Sequence, residues 1–516
     1  MNAVSREEIE QVEKELDAVL EMVQRPVTVK NADNREEAAS LQENLQESSQ
    51  EKSQKNLQER SQESEPVQIE IKKEKKKAGS LGKAKEQTAA AREEKVDAVH
   101  KADADEREDV QAPEEFKDEP ENESEPGNGG FRFLRPGDGL IAAFFVPVAV
   151  LIILFAQRGI FPFGEECFLR TDMYHQYAPF FSEFQYKLKQ GGSLLYSWDI
   201  GMGVNFSALY AYYLASPVNW LIILCPKKFI IEFMTILITI KTGICGVTFT
   251  WYLNRHFEKK HFIAGVFGIF YALSGYMAAY SWNIMWLDCI WLLPLILYGA
   301  EQLVREKKGL FYCITLGLSI LSNYYISIMI CIFMVMYVIM QVILNPPKGV
   351  KELAATGVRF GFYSLLAGGL AAVVLLPEIY ALQATASGDF DFPKTISCYF
   401  SIFDMIARHI GNVGTEIGLD HWPNIYCGVA VLMFLLLYLG AKKITVREKA
   451  VYCGLLLMFY ASFSINVLNF IWHGFHYPNS LPCRQSFIYI AMVLTMCHQA
   501  CLELKEISWK QVVRCV

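Results

Sequence analysis

From Phe131 onward, apolar runs recur at short intervals with few charges between them, whereas the first 130 residues are almost wholly polar or charged. The polar part cannot bury a core, and residues 1–130 are expected to be a disordered tail. Within it, Ile9, Val12, Leu16, Val19, Leu20 and Val23 fall on one helical face. That spacing predicts either a short coiled coil over residues 7–23 or a marginal helix without a partner. Residues 44–51 return almost unchanged at 56–63, a polar duplication rather than a packed repeat. The apolar part predicts helices near residues 140–155, 230–253, 262–280, 284–303, 310–321, 325–344, 358–380, 426–439, 450–465 and 486–502. By the hydropathy criterion these make about ten crossings. The expected fold is an all-α polytopic membrane protein, with a multi-pass domain over residues 131–510 behind the disordered tail.

Charge orders the crossings. Arg132 and Arg135 precede the first run, which places its start and the tail on the cytoplasmic side of the cell membrane. Alternating from there puts Arg255/Lys259/Lys260, Arg305/Lys307/Lys308, Lys348/Lys351, Lys442/Lys443/Arg447/Lys449 and Lys505/Lys510 inside, as the positive-inside rule requires. The agreement holds only if the apolar stretch 208–225 does not cross. That stretch, broken at Pro217, is therefore expected to be re-entrant or interfacial within a long first external loop, residues 158–226. Lys227 and Lys228 then lie near the outer headgroups. Met1 to Arg25 has no apolar core of a signal peptide, so the first spanning helix is expected to be its own anchor.

Composition adds little: 516 residues, 52% hydrophobic and a net charge of −7 average over two unlike regions. Most of the thirteen cysteines sit in apolar runs, where a thiol is a small hydrophobe. Cys167, Cys398 and Cys483 fall in external loops, and a disulfide among them stays open. The basic run 72–77 and the acidic run 113–126 read as solvated tail, with no nucleic-acid partner expected. The sequence carries no Walker-type loop, dinucleotide fingerprint or strand-borne serine nucleophile, which argues against a cytoplasmic nucleotide donor.

Once threaded, the stretches that mix ionisable and aromatic residues fall on the outer side. Asp172 opens an amphipathic helix expected over residues 173–188. It is either that helix's N-cap or a general base at the membrane surface, for which position and a tunable pKa are the requirements. Lys241 lies deep in an apolar run and wants an anion: Glu232, Glu378 or a lipid phosphate. Asp288 beside Trp286, and Asn323 with Tyr324 and Tyr325, sit at outer ends of spans, where the aromatic residues are ordinary interface anchors. His473, His476 and Arg484 lie between two spans. Together they would neutralise a phosphate; the alternative is that Arg484 simply flanks the next helix. The two histidines lack the neighbours of a metal site.

The runs Arg170-Thr171-Asp172-Met173-Tyr174-His175-Gln176-Tyr177-Ala178-Pro179-Phe180, Trp198-Asp199-Ile200-Gly201-Met202-Gly203, Ala215-Ser216-Pro217, Tyr271-Ala272-Leu273-Ser274-Gly275-Tyr276, Leu321-Ser322-Asn323-Tyr324-Tyr325 and Trp472-His473-Gly474-Phe475-His476-Tyr477-Pro478-Asn479 resemble the bacterial YfhO family of multi-pass membrane proteins. The resemblance spans residues 140–502 in order. That family is similar to polytopic glycosyltransferases of the C superfamily, which take a sugar from a polyprenyl-phosphate carrier at the outer face. In such enzymes an aspartate of the first external loop is the base, and Asp172 matches it. Family members usually continue with a further external region and more spans, which makes this chain a fragment or a short form by expectation; the charged tail is not part of the family pattern.

The resemblance and the one-sided clustering together imply transfer of a sugar from a polyprenyl-phosphate carrier to an envelope polymer such as teichoic acid. Asp172 is the expected catalytic residue. Arg170, His175, Gln176, Asp199, Lys241, Asp288, Asn323, His473, His476 and Arg484 are the expected substrate-binding residues. No cofactor is expected, a divalent metal being left open, and the partners are the lipid-linked sugar, the acceptor polymer and membrane lipids. The alternatives are a lipid-linked sugar flippase or exporter, and a non-catalytic envelope scaffold.

Overall fold

The computed structural model describes residue 135 and residues 137–385, 392–478 and 480–504. The tail with its expected coiled coil at 7–23, Arg132, Asn479, Lys505 and Lys510 lie outside the described residues.

The described chain is mostly helical. Its α-helices are α1 (Asp138–Gln157), α2 (Ala178–Gln190), α3 (Phe206–Leu209), α4 (Ile230–His256), α5 (Phe262–Ala272), α6 (Gly275–Tyr280), α7 (Ile284–Arg305), α8 (Leu310–Ser322), α9 (Tyr324–Leu344), α10 (Val350–Leu370), α11 (Ala372–Gln383), α12 (Ile402–Ala407), α13 (Val431–Gly440), α14 (Val446–Ser464), α15 (Asn466–Trp472) and α16 (Ser486–Leu502). A helix stands at each of the ten expected places. Five segments are long and apolar enough to cross a membrane: Asp138–Gln157, Lys227–His256, Phe262–Tyr280, Ile284–Arg305 and Tyr324–Leu344. Two bent pairs would bring these to seven, and Leu310–Ser322, Val431–Gly440 and Ser486–Leu502 are shorter apolar helices. Hydropathy alone overstates the straight spans because it does not see where the helices break.

One break is where charge alternation required it. Phe206–Leu214 and Pro217–Leu224 meet at 103°, so the stretch forms no straight crossing. Pro217 lacks the amide hydrogen that would continue the preceding helix. The second pair, α10 and α11, bends by 79°.

α7 is the centre of the bundle, packing against α4, α8 and α9. α1, α4 and α5 approach backbone to backbone: a Cβ on Gly246 would meet the Ala143 carbonyl, and one on Gly268 would meet Thr250 Oγ1 and the Gly246 carbonyl. Small residues permit such close contact where lipid gives no hydrophobic drive for association. α8 and α9 are separated by Asn323, whose extended backbone ends one helix and whose side chain caps the next through Ile326 N at 2.8 Å.

Between α1 and α4, the expected amphipathic helix is a π-helical turn, Met173–Tyr177, running into α2. Pro179 has no N–H for the carbonyl four residues earlier, and Ala178 N instead bonds Met173 O. A short antiparallel hairpin follows, β1 (Tyr196–Ser197) with β2 (Val204–Asn205). Ser197 donates to Glu183 of α2 at 2.6 Å, and Lys187 donates to the Tyr196 carbonyl at 2.9 Å, so the hairpin is tied to the helix. Cys167, Cys398 and Cys483 are all free thiols.

Candidate functional site

The segments carrying the site meet around Tyr212, in the π-helical segment Tyr210–Leu214 of the first bent pair. Asn323 donates to the Tyr212 carbonyl at 3.1 Å, and the Tyr212 ring stands 5.8 Å from that of Tyr324 and 6.2 Å from that of Tyr325. Its hydroxyl lies within electrostatic reach of Arg484, Asp172 and Glu378. Neighbouring Tyr213 donates to Gln176 at 2.8 Å, and Tyr177 donates to Asn283 at 3.3 Å. Six separate stretches of chain thus converge: the Asp172 turn, the bent pair, the start of α7, the start of α9, the Glu378 turn of α11, and the loop before α16.

Asp172 stands at the N-cap position of the π-helical turn yet makes no capping bond. Its carboxylate is partly buried and accepts no hydrogen bond among the described residues. Burial first, and then the charges of Tyr212, Tyr213 and Asp172, hold the Tyr177 hydroxyl well above its ordinary pKa. The residue before it, Thr171, has φ of 46°. A β-branched side chain in the left-handed region is strained, by about 1–3 kcal/mol. Such strain persists only where surrounding contacts dictate it. The loop opposite shows the same feature, with Phe475 at 64°, Leu481 at 58° and Cys483 at 52°.

Arg484 is partly buried. It donates to Tyr325 Oη at 2.9 Å, Ser480 O at 3.0 Å and Leu481 O at 3.1 Å, and it lies 5.4 Å over the Trp286 ring and 5.2 Å over the Tyr325 ring. No carboxylate pairs with it among the described residues. Carbonyls and π-faces orient the guanidinium without neutralising it, which leaves an anion site. Glu378 is buried; Oε1 accepts from Tyr324 at 2.6 Å and Oε2 has no partner among the described residues.

His473 is fully buried. Its Nδ1 is 2.7 Å from the Asn469 carbonyl, which can only accept, so Nδ1 carries the proton and Nε2 is a bare acceptor without a partner among the described residues. Burial and then the Arg484 charge push its pKa down to about 3. His476, its ring 5.6 Å from that of Tyr325, is also lowered, by burial and then by Arg484. The expected trio of cations before α16 is therefore one cation and two imidazoles biased toward neutrality.

Lys241 and Asp288 stand apart from this arrangement. Lys241 pairs with Asp288 at 2.6 Å, both about 2% exposed, and Asp288 also accepts from Trp291 at 3.0 Å. The expected anion for Lys241 is neither Glu232 nor Glu378, and Asp288 is not open for substrate hydroxyls: the two satisfy each other inside the bundle. Asn323 is likewise engaged, as a cap and as the tether of Tyr212. Asp199 is exposed in the hairpin turn, and His175 is exposed beside Tyr174. Arg170 is exposed, donates to the Ala278 carbonyl at 3.5 Å, and lines an apolar cavity of about 450 Å³. Among the described residues, no three of His, Cys, Asp and Glu come together as metal ligands would.

Sequence reasoning missed Tyr177, Tyr212, Tyr213 and Asn283 as site residues, and offered Glu378 only as a candidate anion for Lys241, not as the partner of Tyr324. Tyrosines at span ends are too common to stand out.

No curated protein matches the chain. Residues 142–516, well over half of the chain, match the family model described as bacterial membrane protein YfhO. That span takes in Asp172, the tyrosine cluster, Glu378 and Arg484, and the chain belongs to the YfhO family of bacterial membrane proteins.

Proposed function

We propose that the protein is a membrane glycosyltransferase that moves a sugar from a polyprenyl-phosphate carrier to a hydroxyl of an envelope polymer, such as teichoic acid, at the outer face of the cell membrane. The observation that carries this reading is Asp172: a carboxylate free of capping bonds, on a strained turn, sharing one tyrosine-lined site with an unneutralised arginine. Asp172 takes the proton of the acceptor hydroxyl as that oxygen bonds to the anomeric carbon. The bond from the anomeric carbon to the carrier phosphate breaks, and its electron pair leaves on the phosphate oxygen. Arg484 meets the charge that develops there. Gln176 and the bare Nε2 of His473 orient hydroxyls, with His476, His175 and Arg170 at the rim and Asp199 on the hairpin above. Lys241 and Asp288 brace the wall behind. In this reading the helices make ten crossings, the N-terminus is cytoplasmic, and the step uses no cofactor.

The test is the sugar content of teichoic acid from a deletion strain carrying either the native chain or Asp172→Asn. Loss of decoration in the variant alone, at equal membrane level, supports the base. Equal decoration by both removes it.

One observation favours a second reading, a lipid-linked sugar flippase. Broken helices are a transporter feature, and here the two bent pairs pack against each other, α11 on α3. The deep cation, however, is already neutralised by Asp288, and Arg484, Glu378 Oε2 and His473 Nε2 are open at one end of the bundle rather than at mid-depth.

A further inference from the structure

The cavity beside Arg170 is built unlike the tyrosine site. Val150, Leu154, Phe155, Phe168, Ile238 and Met277 line it, and Arg158 and Arg170 are the two charged residues in its wall. Arg158 directly follows the last residue of α1, and Val150 lies eight positions back along that helix, about 12 Å deeper at ~1.5 Å per residue. The cations therefore stand at the end of α1 while the apolar wall extends along it. Leu154 is 46% exposed, and Ile152 and Ile153 on the same turn are exposed too, so the cavity borders a surface that a spanning helix presents to lipid. Neither arginine forms an ion pair among the described residues, although Glu165 and Glu166 lie in the same loop. The volume lies within the usual range of ligand sites, roughly 300–1,000 Å³.

An apolar slot along a spanning helix, with two unneutralised guanidinium forks at its end, suits an amphiphile with one hydrocarbon chain and an anionic phosphate head. We infer that this cavity is the entry site at which the protein takes a prenyl phosphate from the membrane, with Arg158 and Arg170 holding the phosphate. The choice of a prenyl phosphate over an ordinary phospholipid rests on the proposed transferase reading, and on Arg170 standing two residues before Asp172. A head group held there is delivered to the Asp172 turn, across α6 from Arg484. Arg158 and Arg170 grip the carrier before reaction, whereas Arg484 answers charge that develops during it.

The experiment measures binding of a C55 prenyl phosphate to the full chain in phosphatidylethanolamine nanodiscs. Arg158→Gln with Arg170→Gln should weaken binding about tenfold or more. The paired Arg-to-Lys variant should recover most of it, and Lys259→Gln, near the opposite end of α4, should leave it unchanged. Unaltered affinity in the double Gln variant overturns the inference. So does equal displacement by the same mole fraction of phosphatidylglycerol, which would make the cavity a general anionic-lipid contact. Arginine-dependent binding alongside unchanged decoration by Asp172→Asn would sink the transferase and leave the entry site standing; the reverse pattern would sink the entry site alone.

Discussion

At one end of α7, Glu301 accepts from Tyr337 at 2.6 Å, His256 at 2.7 Å and Tyr252 at 3.2 Å, with Arg305 at 3.9 Å. At the other end, beyond Asn283, and among the described residues, Arg484 has no carboxylate, Glu378 Oε2 and His473 Nε2 have no partner, and Trp286 Nε1 and Asn283 Nδ2 are buried unpaired. Both ends bury charge among tyrosines. Twenty-two residues of helix, about 33 Å, separate them. The Glu301 cluster closes on itself, as a network must if it is only to hold helices together. The Arg484 end leaves acceptors, donors and a cation open, which native interiors tolerate where something else completes them. The contrast is one of degree, since His498 and Gln341 Nε2 are unsatisfied toward the Glu301 end.

The sharpest break of that comparison is a pair of carboxylate replacements. Asp172→Asn should lower transfer about a hundredfold or more, the range of a lost general base, without changing membrane level or thermal stability. Glu301→Gln should do the reverse. It removes the anion facing His256 and Arg305 and should destabilise the purified protein by about 3 kcal/mol, while activity per folded molecule stays within about twofold. Thermal unfolding and decoration, measured on both variants, decide it. If Glu301→Gln proved inactive and stable, the contrast between the two ends would fail.

Next in size is Arg484→Gln. Loss of the unneutralised cation should cost roughly a hundredfold in turnover but only about 1–2 kcal/mol of stability, because the groups it leaves behind are the Tyr325 hydroxyl and two carbonyls rather than a buried carboxylate. A matching loss of stability would make Arg484 a structural flank of α16.

The sequence made the helices legible and the partners illegible, and these replacements show why. Apolar runs and loop charges are local signals, so the places of the ten helices and the bend at Pro217 could be read directly. The Lys241–Asp288 pair joins positions 47 apart, and which faces of α4 and α7 meet depends on packing that no single run records. For the same reason the sequence offers Glu378 as one of three candidate anions for Lys241 and does not show its bond to Tyr324. Asp172 was legible through its motif. That its carboxylate leaves the cap unfilled was not, because the π-helical turn and the strain at Thr171 arise from how the loop is held.

Protonation sharpens the comparison more gently. Burial holds His473 at about 3 and His409 at about 4, both far below the ordinary 6.5. A histidine depressed in the folded state binds its proton in the unfolded chain first. Its stabilising contribution is present above pH ~6.5 and is lost as pH falls toward the folded value. Each such group should take about 1.4 kcal/mol per pH unit between roughly pH 6 and 4. Thermal unfolding from pH 7 to pH 5 should show this slope, and His473→Gln should reduce it by about one proton's worth. Transfer activity should show no limb from His473 over the same range, since it stays neutral throughout.

The smallest effect is expected at Thr171. Its φ of 46° strains a β-branched residue but is open to glycine. If surrounding contacts dictate this conformation in order to aim Asp172, Thr171→Gly relieves the strain and also loosens the turn. The folded protein should gain up to about 1 kcal/mol, offset in part by the freer unfolded chain, while turnover falls a few-fold. Opposite signs for stability and activity are the mark of a residue held for function. A variant that lost both would show that the turn serves the fold alone, and Asp172 would then stand where packing, rather than chemistry, put it.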